Sequence, residues 1–240
     1  MPEQDPSPGR ADVFPATRWT LILRAAESPE ARRVALESLV APRWRALYAM
    51  ARKKGFSKER AEDAVQSFVE RLASGDALAR LDPSRGKLRA YLSAAFSKHL
   101  LNVHVHEAAL KRGAGRRSVD LDAIEASVPA WGDTPEEVFD RAYAIALYQS
   151  ALEDLRAEFA AGDRTGPFEI LERLFRFGET ESYAELAPRY GLTVPQLKSL
   201  VHRAKRRFQQ LFRTRIAETV DDAADVDAEL GAVLSLLAGK

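Results

Sequence analysis

Cysteine is absent from the 240-residue chain. That excludes a disulfide framework, a thiolate zinc site, an iron–sulfur cluster and a cysteine nucleophile. Long apolar runs are missing too, with nothing near the roughly 18–20 residues of a membrane span. The opening MPEQDPSPGRADVF sets acids and prolines where a signal peptide needs a basic run followed by an apolar one. A reducing, aqueous, cytoplasmic setting is therefore expected. Glycine and proline are sparse, 13 and 12, which with 46% hydrophobic residues excludes fibrous and low-complexity chains. Enzyme signatures are lacking as well: there is no Gly-rich phosphate loop, no HExxH and no Gly-x-Ser-x-Gly. Neither catalysis nor a cofactor is expected. No metal is expected either, because His104 and His106, two residues apart, point about 200° from each other on a helix.

Net charge is only +1, but it is unevenly spread. Residues 43–60 hold seven Lys/Arg against Glu59, residues 85–117 eight against Glu107, and residues 186–217 eight against no acid. The acids lie elsewhere: seven with no Lys/Arg in 118–140, and six against Lys240 in 218–240. One basic block describes a solvated helix face, whereas three separated by acidic stretches point to phosphate as a partner.

The apolar residues recur at the helical period almost throughout, and no segment reads as a strand. Residues 30–54 carry Val34, Leu36, Leu39, Val40, Trp44, Leu47, Tyr48 and Ala51 as one amphipathic helix. Ser57 caps a second, with Ala61, Ala64, Val65, Phe68, Val69 and Leu72 inward and acids in its first turns. A long helix follows from about Lys87 to Ala109. Glycines, Pro129 and acids mark residues 113–133 as a linker. Thr134-Pro135-Glu136-Glu137 then combines an N-cap, proline at the first helical position and glutamate three after the cap. The helix it opens is expected to bury Ile145, Tyr148, Leu152, Leu155 and Phe159. A short helix is expected over 168–177.

The most specific pattern is SYAELAPRYGLTVPQLKSLVHRAKRRFQQLF at 182–212. A short helix, Gly191 at a tight turn and a second helix capped by Thr193 with Gln196 three residues on spell a helix-turn-helix. Leu197, Leu200, Val201, Ala204, Phe208 and Leu211 form its inward stripe. Outside lie Gln196, Lys198, Ser199, His202, Arg203, Arg206 and Arg207: small polar groups suited to base edges and cations suited to phosphates. The same spacing also describes a helical hairpin with a basic solvent face.

Glu62-Asp63-Ala64-Val65-Gln66-Ser67-Phe68-Val69-Glu70-Arg71-Leu72, together with Leu197-Lys198-Ser199-Leu200-Val201-His202-Arg203-Ala204-Lys205, resembles the bacterial extracytoplasmic-function (ECF) sigma factors. The likeness covers about residues 14–112 and 135–216. It implies an all-α protein: an unstructured stretch 1–13, a sigma region-two-like helical domain 14–112, an acidic linker 113–134, a region-four-like helix-turn-helix domain 135–220 and an acidic amphipathic tail 221–240. It further implies that Asp63, Gln66, Phe68 and Glu70 bind core RNA polymerase. Arg85, Lys87, Arg89, Tyr91, Lys98 and Asn102 would hold the −10 element and its melted non-template strand. Thr193, Pro195, Gln196, Lys198, Ser199, His202, Arg203, Arg206 and Arg207 would read duplex promoter DNA at the −35 element. The protein would then be cytoplasmic and nucleoid-associated. The residues leave open whether an anti-sigma factor is a further partner.

The residues themselves speak unevenly for these roles. Asp63, Gln66 and Glu70 share one helical face, apt for an Arg-rich partner and equally apt for solvent. Tyr91 and Phe96 among cations suit base stacking, and also suit a core. Residues 97–107, SKHLLNVHVHE, have fewer cations than an Arg- and Asn-rich strand-contacting helix. This keeps two alternatives in view: a helix-turn-helix regulator, and a sigma-like adaptor that does not initiate. The tail places Val226, Leu230, Val233, Leu234 and Leu237 at helical steps, so it is expected either to dock and compete with phosphate for the basic faces or to cap the second domain's core.

Overall fold

The single helix expected over 30–54 is broken at Pro42. Proline lacks the N–H that continues a helical ladder, and its ring crowds the preceding turn. The chain therefore forms α1 (Pro29–Leu39), a 3₁₀ turn over Ala41–Arg43 and α2 (Trp44–Lys53). Further on come α3 (Lys58–Ala73), α4 (Leu88–Lys111), α5 (Pro135–Ala161), α6 (Tyr183–Arg189), α7 (Val194–Ala217), a 3₁₀ turn over Ala223–Asp225 and α8 (Val226–Leu237). The computed structural model describes residues 28–74, 87–111, 133–161, 168–169, 171, 182–220 and 222–239, and among these the fold is all-α with no strand. The expected N-terminal stretch lies outside the described residues, as do most of the linker and most of the 168–177 helix.

The start signals read from the sequence act as caps. The Ser57 hydroxyl accepts from the Arg60 N–H at 3.3 Å, opening α3. At α5, Thr134 Oγ1 accepts from the Glu137 N–H at 3.1 Å, and Glu137 accepts from the Thr134 N–H at 2.6 Å. This reciprocal pair satisfies two N–H groups that a helix start otherwise leaves open. The hydrogen bond from the Thr134 N–H, followed by that from the Thr134 hydroxyl, holds the Glu137 carboxyl below its ordinary range.

α5 is the centre of the molecule. It buries Phe139, Tyr143, Ala144, Ala146, Leu147, Ala151, Leu155 and Phe159, residues that point in several directions around its axis. A helix apolar on more than one side must be packed on more than one side, and α5 contacts α2, α4, α7 and α8. The single stripe expected from the sequence is corrected here: Ile145 is 43% exposed, and Ala144, Ala146 and Leu147 are buried in its stead. The N-terminal helices and the C-terminal ones thus share one continuous apolar cluster running from Val40 to Val233. Within it Phe68 meets Phe96 edge-on at 5.0 Å, and Tyr148 meets Phe208 at 4.9 Å.

Candidate nucleic-acid interface

α6 and α7 meet in a tight turn whose backbone explains the glycine. Tyr190 ends α6 and Gly191 takes φ +65°, a conformation costly for any residue with a Cβ. The Leu192 N–H then reaches the Ala187 carbonyl at 2.9 Å and the Gly191 N–H the Pro188 carbonyl at 3.2 Å, the two bonds of a Schellman motif. Two residues later Thr193 opens α7: its hydroxyl accepts from the Gln196 N–H at 3.4 Å, while Gln196 Oε1 accepts from the Thr193 N–H at 2.8 Å. A second box, Ser182 with Glu185, opens α6. Its Ser-x-x-Glu spacing is a helix-start signal present in the sequence itself. The geometry is a helix-turn-helix fixed at both ends of its turn.

α7 buries Leu197, Val201, Ala204, Phe208, Phe212 and Ile216, with Leu200 and Leu211 half-buried. Of its nine expected DNA-reading positions, Thr193, Pro195, Gln196, Lys198, Ser199, His202, Arg203, Arg206 and Arg207, all are exposed. They are not equally available. Gln196 Oε1 is spent on the cap, which leaves its amide Nε2 to donate. Arg203 donates to Ser199 Oγ at 3.0 Å. Arg207 is held by Glu158 of α5, with Nε at 2.8 Å and Nη2 at 2.5 Å from its two oxygens. The hydrogen bond from Arg207 pulls the Glu158 carboxyl below its ordinary range, so this ion pair persists at neutral pH. Lys198, Lys205 and Arg206 form no ion pair among the described residues, and Lys205 was not among the expected contacts.

α3 presents Asp63, Gln66 and Glu70 on its exposed face, where Gln66 Nε2 donates to Glu70 Oε1 at 3.1 Å. Phe68 does not join them. It is fully buried, because a phenyl ring three to four residues from Ala64, Val65 and Leu72, and seven from Ala61, lies on the inward stripe.

At α4 the −10 candidates are divided among exposed, half-buried, fully buried and ion-paired positions. Lys98 and Asn102 are exposed on one face, four residues apart. Tyr91 is half-buried, and burial pushes its phenol up. Phe96 is fully buried and belongs to the core. Lys87 and Arg89 are paired: Lys87 Nζ stands 2.7 Å from Glu229 Oε2, Arg89 Nε lies 3.3 Å from Glu229 Oε1, and Arg89 also binds Asp140. The Lys87 approach is an ion pair outside hydrogen-bond angles, so Oε2 has charge compensation without a donor. For Arg89, burial works to lower the pKa, and Asp140 and Glu229 outweigh it and raise it. Nearby, Lys54 Nζ donates to Ser97 Oγ at 2.9 Å and lies 3.4 Å from Glu136. Arg85 lies outside the described residues.

Asp140, Glu136 and Glu229 stand out in the sequence only as members of acidic stretches, and Glu158 stands in neither stretch. The structure sets each of them on a cation from a distant basic block. No helix among the described residues is long and apolar enough to cross a membrane. Comparison with family models, with curated proteins and with solved structures finds no match.

Proposed function

We propose that the chain is a transcription initiation factor of the ECF sigma type, which joins core RNA polymerase and directs it to promoters. The observation that carries this reading is the α6–α7 helix-turn-helix, capped at both helix starts and closed by Gly191, with Lys198, Arg203, Lys205 and Arg206 on the outer face of its second helix. Such a helix enters a major groove with its first turns at base edges and its later cations at phosphates. In this reading the exposed Asp63, Gln66 and Glu70 of α3 dock on polymerase. Lys98, Asn102 and the start of α4 face the −10 strand.

The test is reconstitution with core polymerase on a promoter library. Specific transcripts are expected from the wild type, and Asp63→Arg with Glu70→Arg should abolish both transcription and co-purification with core while leaving helicity unchanged. Absence of transcripts together with absence of co-purification would remove the reading. The burial of Phe96 and the occupation of Lys87 and Arg89 favour one second reading, an adaptor that binds polymerase without melting DNA. Co-purification without transcripts from any promoter would select it.

A further inference from the structure

Glu229 sits in the wrong place for an ordinary amphipathic helix. In α8 the residues turned inward are Val226, Glu229 and Val233, so a carboxylate stands in the middle of the apolar stripe with none of its surface exposed. A buried carboxylate is costly unless cations compensate it, and an apolar residue there would pack at least as well. Its compensation comes from 140 positions away, where Lys87 and Arg89 at the start of α4 hold one oxygen each. Asp140 approaches Arg89 from α5. The same helix sets Asp227 on Arg213 of α7, so α8 bridges two of the three basic blocks.

A phosphodiester resembles this carboxylate in what cations recognise: a negative charge spread over two oxygens, open to an ammonium and a guanidinium together. We propose that Lys87 and Arg89 form a backbone phosphate site for single-stranded DNA, and that Glu229 occupies it in the free protein as an internal stand-in for phosphate. This rests on α4 being the strand-contacting element of the initiation reading and adds its regulation. The Leu88 N–H lies 3.4 Å from the Thr219 carbonyl, so the start of α4 abuts the end of α7. Any separation of the N-terminal helices from α5 and α7 breaks this junction and withdraws α8 from α4. The tethered carboxylate competes at high effective concentration, and only a strand presented when the molecule is opened displaces it.

The test uses the full chain and a short fluorescent single-stranded oligonucleotide of mixed sequence, titrated at low and at high salt. Glu229→Gln keeps the size and removes the charge. It should bind about tenfold more tightly than wild type at low salt, with the difference closing as screening rises. Adding Lys87→Ala and Arg89→Ala to it should return the affinity to the wild-type level. A folded Glu229→Gln protein with unchanged affinity overturns the proposal, and so does a gain that survives loss of both cations. Should Glu229→Gln fail to fold, Glu229→Asp keeps the charge and draws the carboxylate back by one methylene from both cations, and a smaller gain is expected there; no gain overturns the proposal. Wild-type transcription with no gain in these variants removes the phosphate mimic alone. A gain without transcription or polymerase binding removes the initiation reading and leaves the mimic standing.

Discussion

The guanidinium carbon of Arg43 lies 4.9 Å from the centre of the Tyr143 ring, with both side chains at most 1% exposed. This contact pins the turn before α2 against α5. The Tyr143 hydroxyl is buried and finds no hydrogen-bond partner among the described residues. Tyr143→Phe removes that polar atom and keeps the ring, so stability to denaturant should stay level or rise by up to about 1 kcal/mol. Arg43→Ala leaves a cavity and should cost about 3 kcal/mol. A loss of stability in Tyr143→Phe would show that the hydroxyl is satisfied.

Arg207 and Arg206 are neighbours on α7 with opposite commitments. Arg206→Ala should lower duplex affinity for all sequences and reduce the slope of log affinity against log salt by about 1. Arg207→Ala should change binding little, since Glu158 already neutralises it, and should lower stability by no more than about 1 kcal/mol because the pair is half-exposed. Glu158→Gln should free Arg207 and tighten duplex binding at low salt. Equal losses for Arg206→Ala and Arg207→Ala would mean that DNA displaces Glu158.

His99 of α4 is buried between Phe68 and Phe96, its Nε2 3.0 Å from Ser67 Oγ. Burial, then the nearby Arg71 charge, pushes its pKa below the ordinary value for histidine. The unfolded chain therefore takes up the proton first, at about pH 6.5. The contribution of neutral His99 is fully present above that pH and is lost as pH falls toward the lower folded-state value. Urea titrations should show stability declining below about pH 6.5 in the wild type. His99→Phe should flatten that limb and leave the later loss from the carboxylates intact. An unchanged profile would place the acid sensitivity elsewhere.

The α6–α7 turn offers a graded test. No atom crowds a Cβ built at Gly191, so the penalty there is conformational alone. Melting temperatures should order Gly above Asn above Ala above Val at position 191. Thr193→Ala should cost about 1 kcal/mol by removing the cap. The two weakest variants should also lose duplex affinity, because the turn sets the angle of α7. Normal binding by Gly191→Val would show that the turn does not orient the helix.

Local chemistry was legible in the residues themselves. Ser57, Thr134 and Thr193 start helices because each supplies an oxygen to N–H groups left open by its own chain, and Gly191 ends one because only its own φ decides the matter. The stripe Ala61, Ala64, Val65, Phe68, Leu72 needed nothing but the 3.6-residue period. Pro42 was legible too, and periodicity concealed it, since the apolar steps carry on across the break.

What the sequence determined alone is therefore the all-α class, the helix starts and the helix-turn-helix. Tertiary structure decided which side of α5 is outside, turning Ile145 to solvent, because a helix covered on several sides has no single stripe to read. It also decided which charges are free. Whether Arg207 meets phosphate or Glu158, and whether Lys87 and Arg89 are open or closed over Glu229, depends on partners 49 to 142 positions away. Charge counting along a chain registers such groups without their distances, and ion pairing is a matter of distance.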